Sequence, residues 1–166
     1  PWTLVNGSAG WEGRRTFGAV VLKDSSVVLT GGYLIGWRND TWRSTDKGNV
    51  WVEMNRSSGW PIRANHDSVA LPDGSIVLMG GYGDNTYYND SWRSTDKGAT
   101  WTLMNASSGW LVRDYHSCVA LPDGSIVLTG GSNLGSYEMN DTWRSTDNGA
   151  TWAEINASSG WSAREK

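Results

Sequence analysis

The sequence is poor in cysteine, histidine and charge, and each shortage removes a class of protein. A single cysteine, Cys118, excludes an intrachain disulfide framework. The only two histidines, His66 and His116, have no cysteine beside them and fall short of the three or four ligands that a zinc site takes. No metal and no cofactor is therefore expected. Charged residues make up 19% of the chain, the net charge is -3, and no run of Lys or Arg occurs, so the basic footprint of a nucleic-acid-binding surface is missing. The longest apolar runs, such as Ile76 to Met79, are about four residues, far short of a membrane span. No segment carries an apolar stripe of helical period.

Glycine and tryptophan are abundant instead, with 21 and 12 residues, and they recur. Tryptophan returns at Trp2, Trp51, Trp101 and Trp152, at spacings of 49, 50 and 51. A glycine pair returns at Gly31-Gly32, Gly80-Gly81 and Gly130-Gly131, and Asn-Asp-x-Trp at Asn39–Trp42, Asn89–Trp92 and Asn140–Trp143. Such a period marks stacked repeats. The repeats run approximately over 14–60, 63–110 and 113–161, with 1–11 read as a leading outer strand and loop of a preceding unit. Together they form one repeat domain that opens inside a repeat. Within a unit the period is two. Ser68 to Leu71 and Ser75 to Met79 flank Pro72-Asp73-Gly74, a tight turn, and two more short strands follow at Ser91–Thr95 and Trp101–Met104. Cys118 aligns with Ala19 and Ser68 and reads as a small residue in a packed strand. Four short strands per unit cannot bury both faces of their own sheet, and stacking on the next copy does so. The expected fold is all-β: a β-propeller of four-stranded antiparallel blades, three complete repeats plus one extra outer strand.

Two family resemblances fit this reading. Arg63, His66, Gly80-Gly81, Asn89-Asp90, Trp92 and Trp101 resemble the kelch repeat, and so do Arg113, His116, Gly130-Gly131, Asn140-Asp141, Trp143 and Trp152; the first copy keeps Arg14 but has Phe17 in place of the histidine. Between the third and fourth strands, Ser44-x-Asp46-x-Gly48-x-x-Trp51, Ser94-x-Asp96-x-Gly98-x-Thr-Trp101 and Ser145-x-Asp147-x-Gly149-x-Thr-Trp152 resemble the Asp-box of sialidases, with Val50 replacing the threonine in the first copy. The resemblance implies that these Asp, Gly and Trp residues are structural and lie away from any ligand.

Catalysis is not expected. A sialidase-like site would use arginines and unique carboxylates. Arg14, Arg63, Arg113 and Arg164 recur in one context, as structural residues do, and Glu12, Glu53, Glu138, Glu154 and Glu165 have no distinctive setting. The glycine pairs are not followed by Lys-Ser or Lys-Thr, so they form no phosphate loop. Ligand-binding candidates lie in the variable loops, which carry Trp37, Tyr82, Tyr87, Tyr88 and Tyr137. The expected function is a non-enzymatic binding or scaffolding propeller for protein or glycan ligands, the alternative being a fragment of a carbohydrate-active, glycosidase-like propeller. Three blades leave two open faces, so either two-fold self-association or missing blades of a longer chain is expected to cover them. An extracellular or cell-surface location is favoured over a cytoplasmic one.

Overall fold

A computed structural model describes residues 1–133 and 137–164. Three four-stranded antiparallel sheets follow one another along the chain. The first contains β1 (Gly18–Val21), β2 (Val27–Tyr33), β3 (Trp37–Ser44) and β4 (Val52–Asn55), hydrogen-bonded in that order. The second contains β5 (Asp67–Ala70), β6 (Ile76–Met79), β9 (Ser91–Ser94) and β10 (Thr102–Asn105), with the ribbon β7 (Tyr82–Gly83) and β8 (Thr86–Tyr87) between β6 and β9. The third contains β11 (Ser117–Ala120), β12 (Ile126–Thr129), β15 (Thr142–Ser145) and β16 (Ala153–Asn156), with the ribbon β13 (Ser132–Asn133) and β14 (Tyr137–Glu138).

Local chemistry sets these boundaries. In the turn between β5 and β6, the Asp73 carboxylate accepts from the Ser75 amide (2.8 Å) and hydroxyl (2.6 Å), while Gly74 takes a φ of 87° that a side chain disfavours. Between the third and fourth strands of each sheet, one carboxylate closes the hairpin. Asp96 accepts from the Ser94 hydroxyl (2.9 Å), the Thr100 amide (2.8 Å) and the Thr100 hydroxyl (2.6 Å). Asp46 and Asp147 repeat the pattern, with Val50 offering only its amide. At Gly31, where the register of β2 against β3 shifts, φ is 55° and an added Cβ would lie 2.8 Å from the Arg63 carbonyl oxygen, so this position admits only glycine.

The sheets stack face to face, and β5 lies against both β1 and β11. Side chains alternate across each strand. On the first sheet Val20, Leu22 and Val28 point at Ile76 and Ala70 of the second. On the second, Val69, Leu71, Val77 and Met79 point at Ile126 and Leu128 of the third, with Trp110 between them. Each such aliphatic side chain contributes about 1.5–3 kcal/mol on burial.

One ion pair pins each repeat. Arg63 donates to both carboxylate oxygens of Asp90 (2.6 and 2.8 Å) and to the Gly80 carbonyl (2.8 Å), with its side chain fully buried. Arg113 does the same with Asp141 and Gly130, and Arg14 with Asp40 and Gly31. Arg164 does not: its guanidinium reaches only Ser162 of its own segment among the described residues.

Two expectations are corrected. The all-β class stands, but the propeller does not, because the sheets are separate and none closes on itself or into a ring. Val21 and Val52 of the first sheet and Val119 and Ile155 of the third stay exposed. The repeat dictates how one sheet meets the next, and each junction buries its own aliphatic core. Nothing in that junction requires the row to close. The leading outer strand is also absent: Trp2 to Val5 join no sheet, and Trp2, Leu4 and Val5 are exposed. Among the described residues no helix is long and apolar enough to cross a membrane.

Two measurements check the energetics. Arg63→Met leaves the buried Asp90 carboxylate without its counter-charge and is expected to cost about 3–5 kcal/mol in urea unfolding. Asp141 supplies a pH dependence: burial works against its ionisation, but the hydrogen bonds and charge of Arg113 and the Trp143 indole outweigh it and lower its pKa. A lowered folded-state pKa lends stability that is complete above the ordinary carboxylate range and is lost as pH falls through it. The urea midpoint should therefore hold from about pH 7 to 5 and fall below about pH 4. Asp141→Asn should flatten part of that fall.

Candidate functional site

A cleft of about 500 Å³ opens on the first repeat. Its floor is the Arg14–Asp40 pair, with the Trp42 indole donating to Asp40 Oδ2 at 2.8 Å. Trp11 and Trp37 form walls, and Glu12, Arg38, Asn39, Glu53 and Arg56 complete the rim. The rim charges are paired across it. Arg38 bonds Glu12, and Arg56 bonds Glu53 at 3.2 and 3.3 Å.

The floor is common to the repeats, and the rim is not. Where the first repeat has Glu12, Arg38, Glu53 and Arg56, the second has Pro61, Tyr88, Leu103 and Ala106, and the third has Leu111, Met139, Glu154 and Ala157. In the second repeat Tyr88 lies over the Arg63 guanidinium, 4.0 Å from its ring centroid, and takes up the space. In the third, a cleft of about 460 Å³ remains, lined by Leu111, Met139 and Ala157 together with Asn133, Glu138, Asn140, Asp141 and Glu154. Similar scaffolds thus carry a cleft rimmed by paired charges, a filled one and one that mixes apolar with acidic residues.

An aromatic row leads away from the charged cleft. Trp37 stands 4.6 Å from Tyr33 within its own hairpin and 5.2 Å, edge-on, from Tyr82 in the next repeat; Tyr82 stands 4.6 Å from Tyr87. All four rings are half-buried, and Leu34 and Ile35 beside them are exposed. Arg15 lies over Tyr33 at 5.5 Å. Close aromatic pairs of this kind hold each other in place and present a pre-organised edge.

Of the residues expected in a ligand site, Trp37, Tyr82 and Tyr87 come together in this row. Tyr88 turns inward to Arg63, and the side chain of Tyr137 lies outside the described residues. Sequence reasoning missed Glu12, Arg38, Glu53 and Arg56. The signal was present in the columns where aligned repeats differ in charge, and the glutamates had been discounted for lacking a repeated setting. Among the described residues no group of three or more His, Cys, Asp or Glu side chains could hold a metal ion. His66 bonds the Thr30 hydroxyl at 2.9 Å and Cys118 packs against the second core, so both serve the sheet junctions.

No family model matches the chain, and no curated protein matches it. The resemblance to kelch repeats and to Asp-box proteins is therefore corrected with the fold: neither a matching model nor a closed ring supports it. The serine–aspartate–glycine turns stand on their own hydrogen bonds. The reading of function as a binding or scaffolding propeller, or as a piece of an enzymatic one, falls with the ring it required.

The stacked arrangement in the second repeat is open to a direct check. Tyr88→Ala removes a half-buried ring from a buried guanidinium and should destabilise the chain by about 1–2 kcal/mol in urea unfolding. Tyr87→Ala, on the outer row, should cost well under half of that.

Proposed function

We propose that this chain is a non-enzymatic carbohydrate-binding module whose ligand lies in the first-repeat cleft and along the row Trp37–Tyr82–Tyr87. The observation that carries the reading is the break in repeat symmetry at the cleft. A stacking device is needed in every repeat, whereas a recognition site is needed once. The residue types suit a pyranose chain. Indole and phenol rings offer flat apolar faces to sugar C–H surfaces, and paired Arg and carboxylate groups offer fixed donors and acceptors to vicinal hydroxyls. A non-enzymatic role is supported by the state of the carboxylates. Glycoside hydrolysis takes two carboxyl groups that flank the scissile bond and are available to the substrate. Asp40, Glu12 and Glu53 are each held by an arginine.

Affinity electrophoresis through gels cast with neutral and acidic soluble polysaccharides tests the proposal. Retardation by at least one of them is expected, and Trp37→Ala should weaken it by about 2 kcal/mol, as loss of a central aromatic anchor does. Retardation that Trp37→Ala and Arg38→Ala both leave unchanged would place the ligand elsewhere. Release of reducing sugar would defeat the non-enzymatic reading.

A further inference from the structure

Each sheet is gripped by the segment that precedes it, through three side chains. In the segment before the second sheet, the Asn55 amide donates to the Ala99 carbonyl at 2.8 Å, Trp60 meets Trp101 edge-on at 6.2 Å, and Arg63 pairs with Asp90. Before the third sheet, Asn105 donates to Ala150 at 2.8 Å, Trp110 meets Trp152 at 6.1 Å, and Arg113 pairs with Asp141. The first sheet is gripped in the same way. Asn6 donates to Asn49 at 2.5 Å, Trp11 meets Trp51 at 6.0 Å, and Arg14 pairs with Asp40.

The same three residues appear a fourth time, as Asn156, Trp161 and Arg164, with no sheet to receive them among the described residues. The backbone of this segment is nevertheless docked on the third sheet as the internal segments are on theirs. The Ser159 amide donates to Asn140 O (2.8 Å), Arg164 N to Met139 O (3.2 Å) and Gly131 N to Arg164 O (3.0 Å), matching Ser58 to Asn39, Arg63 to Arg38 and Gly32 to Arg63. Trp161 is 38% exposed, whereas Trp60 and Trp110 are at 1%. Beside it the outer face of the third sheet lies open: Val119 is 54% exposed, and its counterpart Val69 is at 6%.

We propose that a second copy of this chain covers that face, docking its first sheet there, with Asn156, Trp161 and Arg164 displacing the partner's Asn6, Trp11 and Arg14 from Asn49, Trp51 and Asp40. Residues 6–14 are then an internal plug that occupies the docking surface until it is exchanged. The junction is a continuation of one already formed twice within the chain. Phe17, 38% exposed, stands where His66 and His116 stand in the inner junctions. His66 packs over Thr30 and Gly31 of the preceding sheet. The equivalent place on the third sheet is a pocket of about 350 Å³, lined by Tyr115, Ser117, Thr129, Gly130 and Trp161, and it has room for the Phe17 ring. Charge agrees as well. Lys97 pairs with Asp24 of the preceding sheet at 2.7 Å, and in the intermolecular junction Lys47 would meet Asp123 in the same positions.

The plug is a weakened copy of the segments it imitates. It carries Gly7 and Gly13 where the others have Arg56, Ala106 and Ala157, and Ile62, Val112 and Ala163. Neither glycine is required by close packing, since an added Cβ would meet nothing within 4 Å at Gly13 and only Leu4 at 3.9 Å at Gly7. Their effect is to raise the entropy cost of ordering the plug. The contact is head to tail, so it propagates from copy to copy until the rotation closes it or the chain of copies continues.

Sedimentation velocity on the full chain over a range of concentrations tests the proposal. Wild type should show species heavier than the 18.2 kDa monomer that grow with concentration. Trp161→Ala should weaken association by about tenfold or more, as truncating an interface anchor does. Lys47→Glu should weaken it to a lesser, salt-dependent extent. Trp11→Ala, which loosens the plug, should strengthen it. A monomer at every concentration in both wild type and Trp11→Ala overturns the proposal. So does self-association that Trp161→Ala leaves unchanged, which would place the interface on another surface. Circular dichroism on each variant confirms that the fold is retained.

Discussion

A four-stranded sheet has two faces and can cover neither by itself, and the rest of this structure follows from that constraint. The chain meets it by repeating the sheet and by making consecutive faces complementary. Aliphatic rows Val20–Leu22–Val28 and Val69–Leu71–Val77–Met79 each face the smaller or branched residues of the following sheet. The grip segments then fix the geometry at each junction. Their backbone bonds belong to one sheet and their side chains to the next, so neither sheet can move without breaking both sets. The buried Arg–Asp pairs suit this role better than apolar contacts would. A bidentate guanidinium has one acceptable orientation, and leaving the carboxylate alone would be expensive.

Most of the fold was legible because repetition averages out local ambiguity. Strand positions, the Pro72-Asp73-Gly74 turn and the glycine pair could be checked against each other in three copies. The structure moved the strand boundaries of the second repeat by a residue, whereas in the first β2 runs on through the glycine pair to Tyr33 and β3 already begins at Trp37. Closure was not legible, and the reason is physical. A repeat encodes a pairwise relation between neighbours, whereas a ring is a property of the accumulated rotation, and no single residue carries it. The leading strand failed for a related reason: spacing alone aligned Trp2 with Trp51. A strand also needs a partner edge, and residues 1–5 have none among the described residues.

The site was less legible than the fold because attention to repeated residues points away from it. Trp37, Tyr82 and Tyr87 were found as aromatics in loops of variable length. Tyr88 satisfied the same description, yet its ring stacks on Arg63 and fills the middle cleft. What separates them is whether the position next to Asn-Asp carries an arginine, a tyrosine or a methionine, as at Arg38, Tyr88 and Met139. In a repeat protein the shared columns describe stability, and the columns that differ are where a single function can be placed without disturbing the stack.

The two ends of the row obey the same rule from opposite directions. Among the described residues the third sheet presents a grip without a receiver, and the first presents a receiver filled by a poorer grip. A tethered plug competes at an effective concentration in the millimolar range, about what short flexible linkers give. An untethered tail must overcome that advantage by binding better. The glycines in the plug narrow the gap by about 0.5–1 kcal/mol each, and covering Val119, Trp161 and Phe17 narrows it further. The balance is therefore close by construction. Internal junctions use these contacts with full covalent continuity and stay closed, whereas the proposed end junction would use them without it. Exchange there would depend on how many copies are nearby.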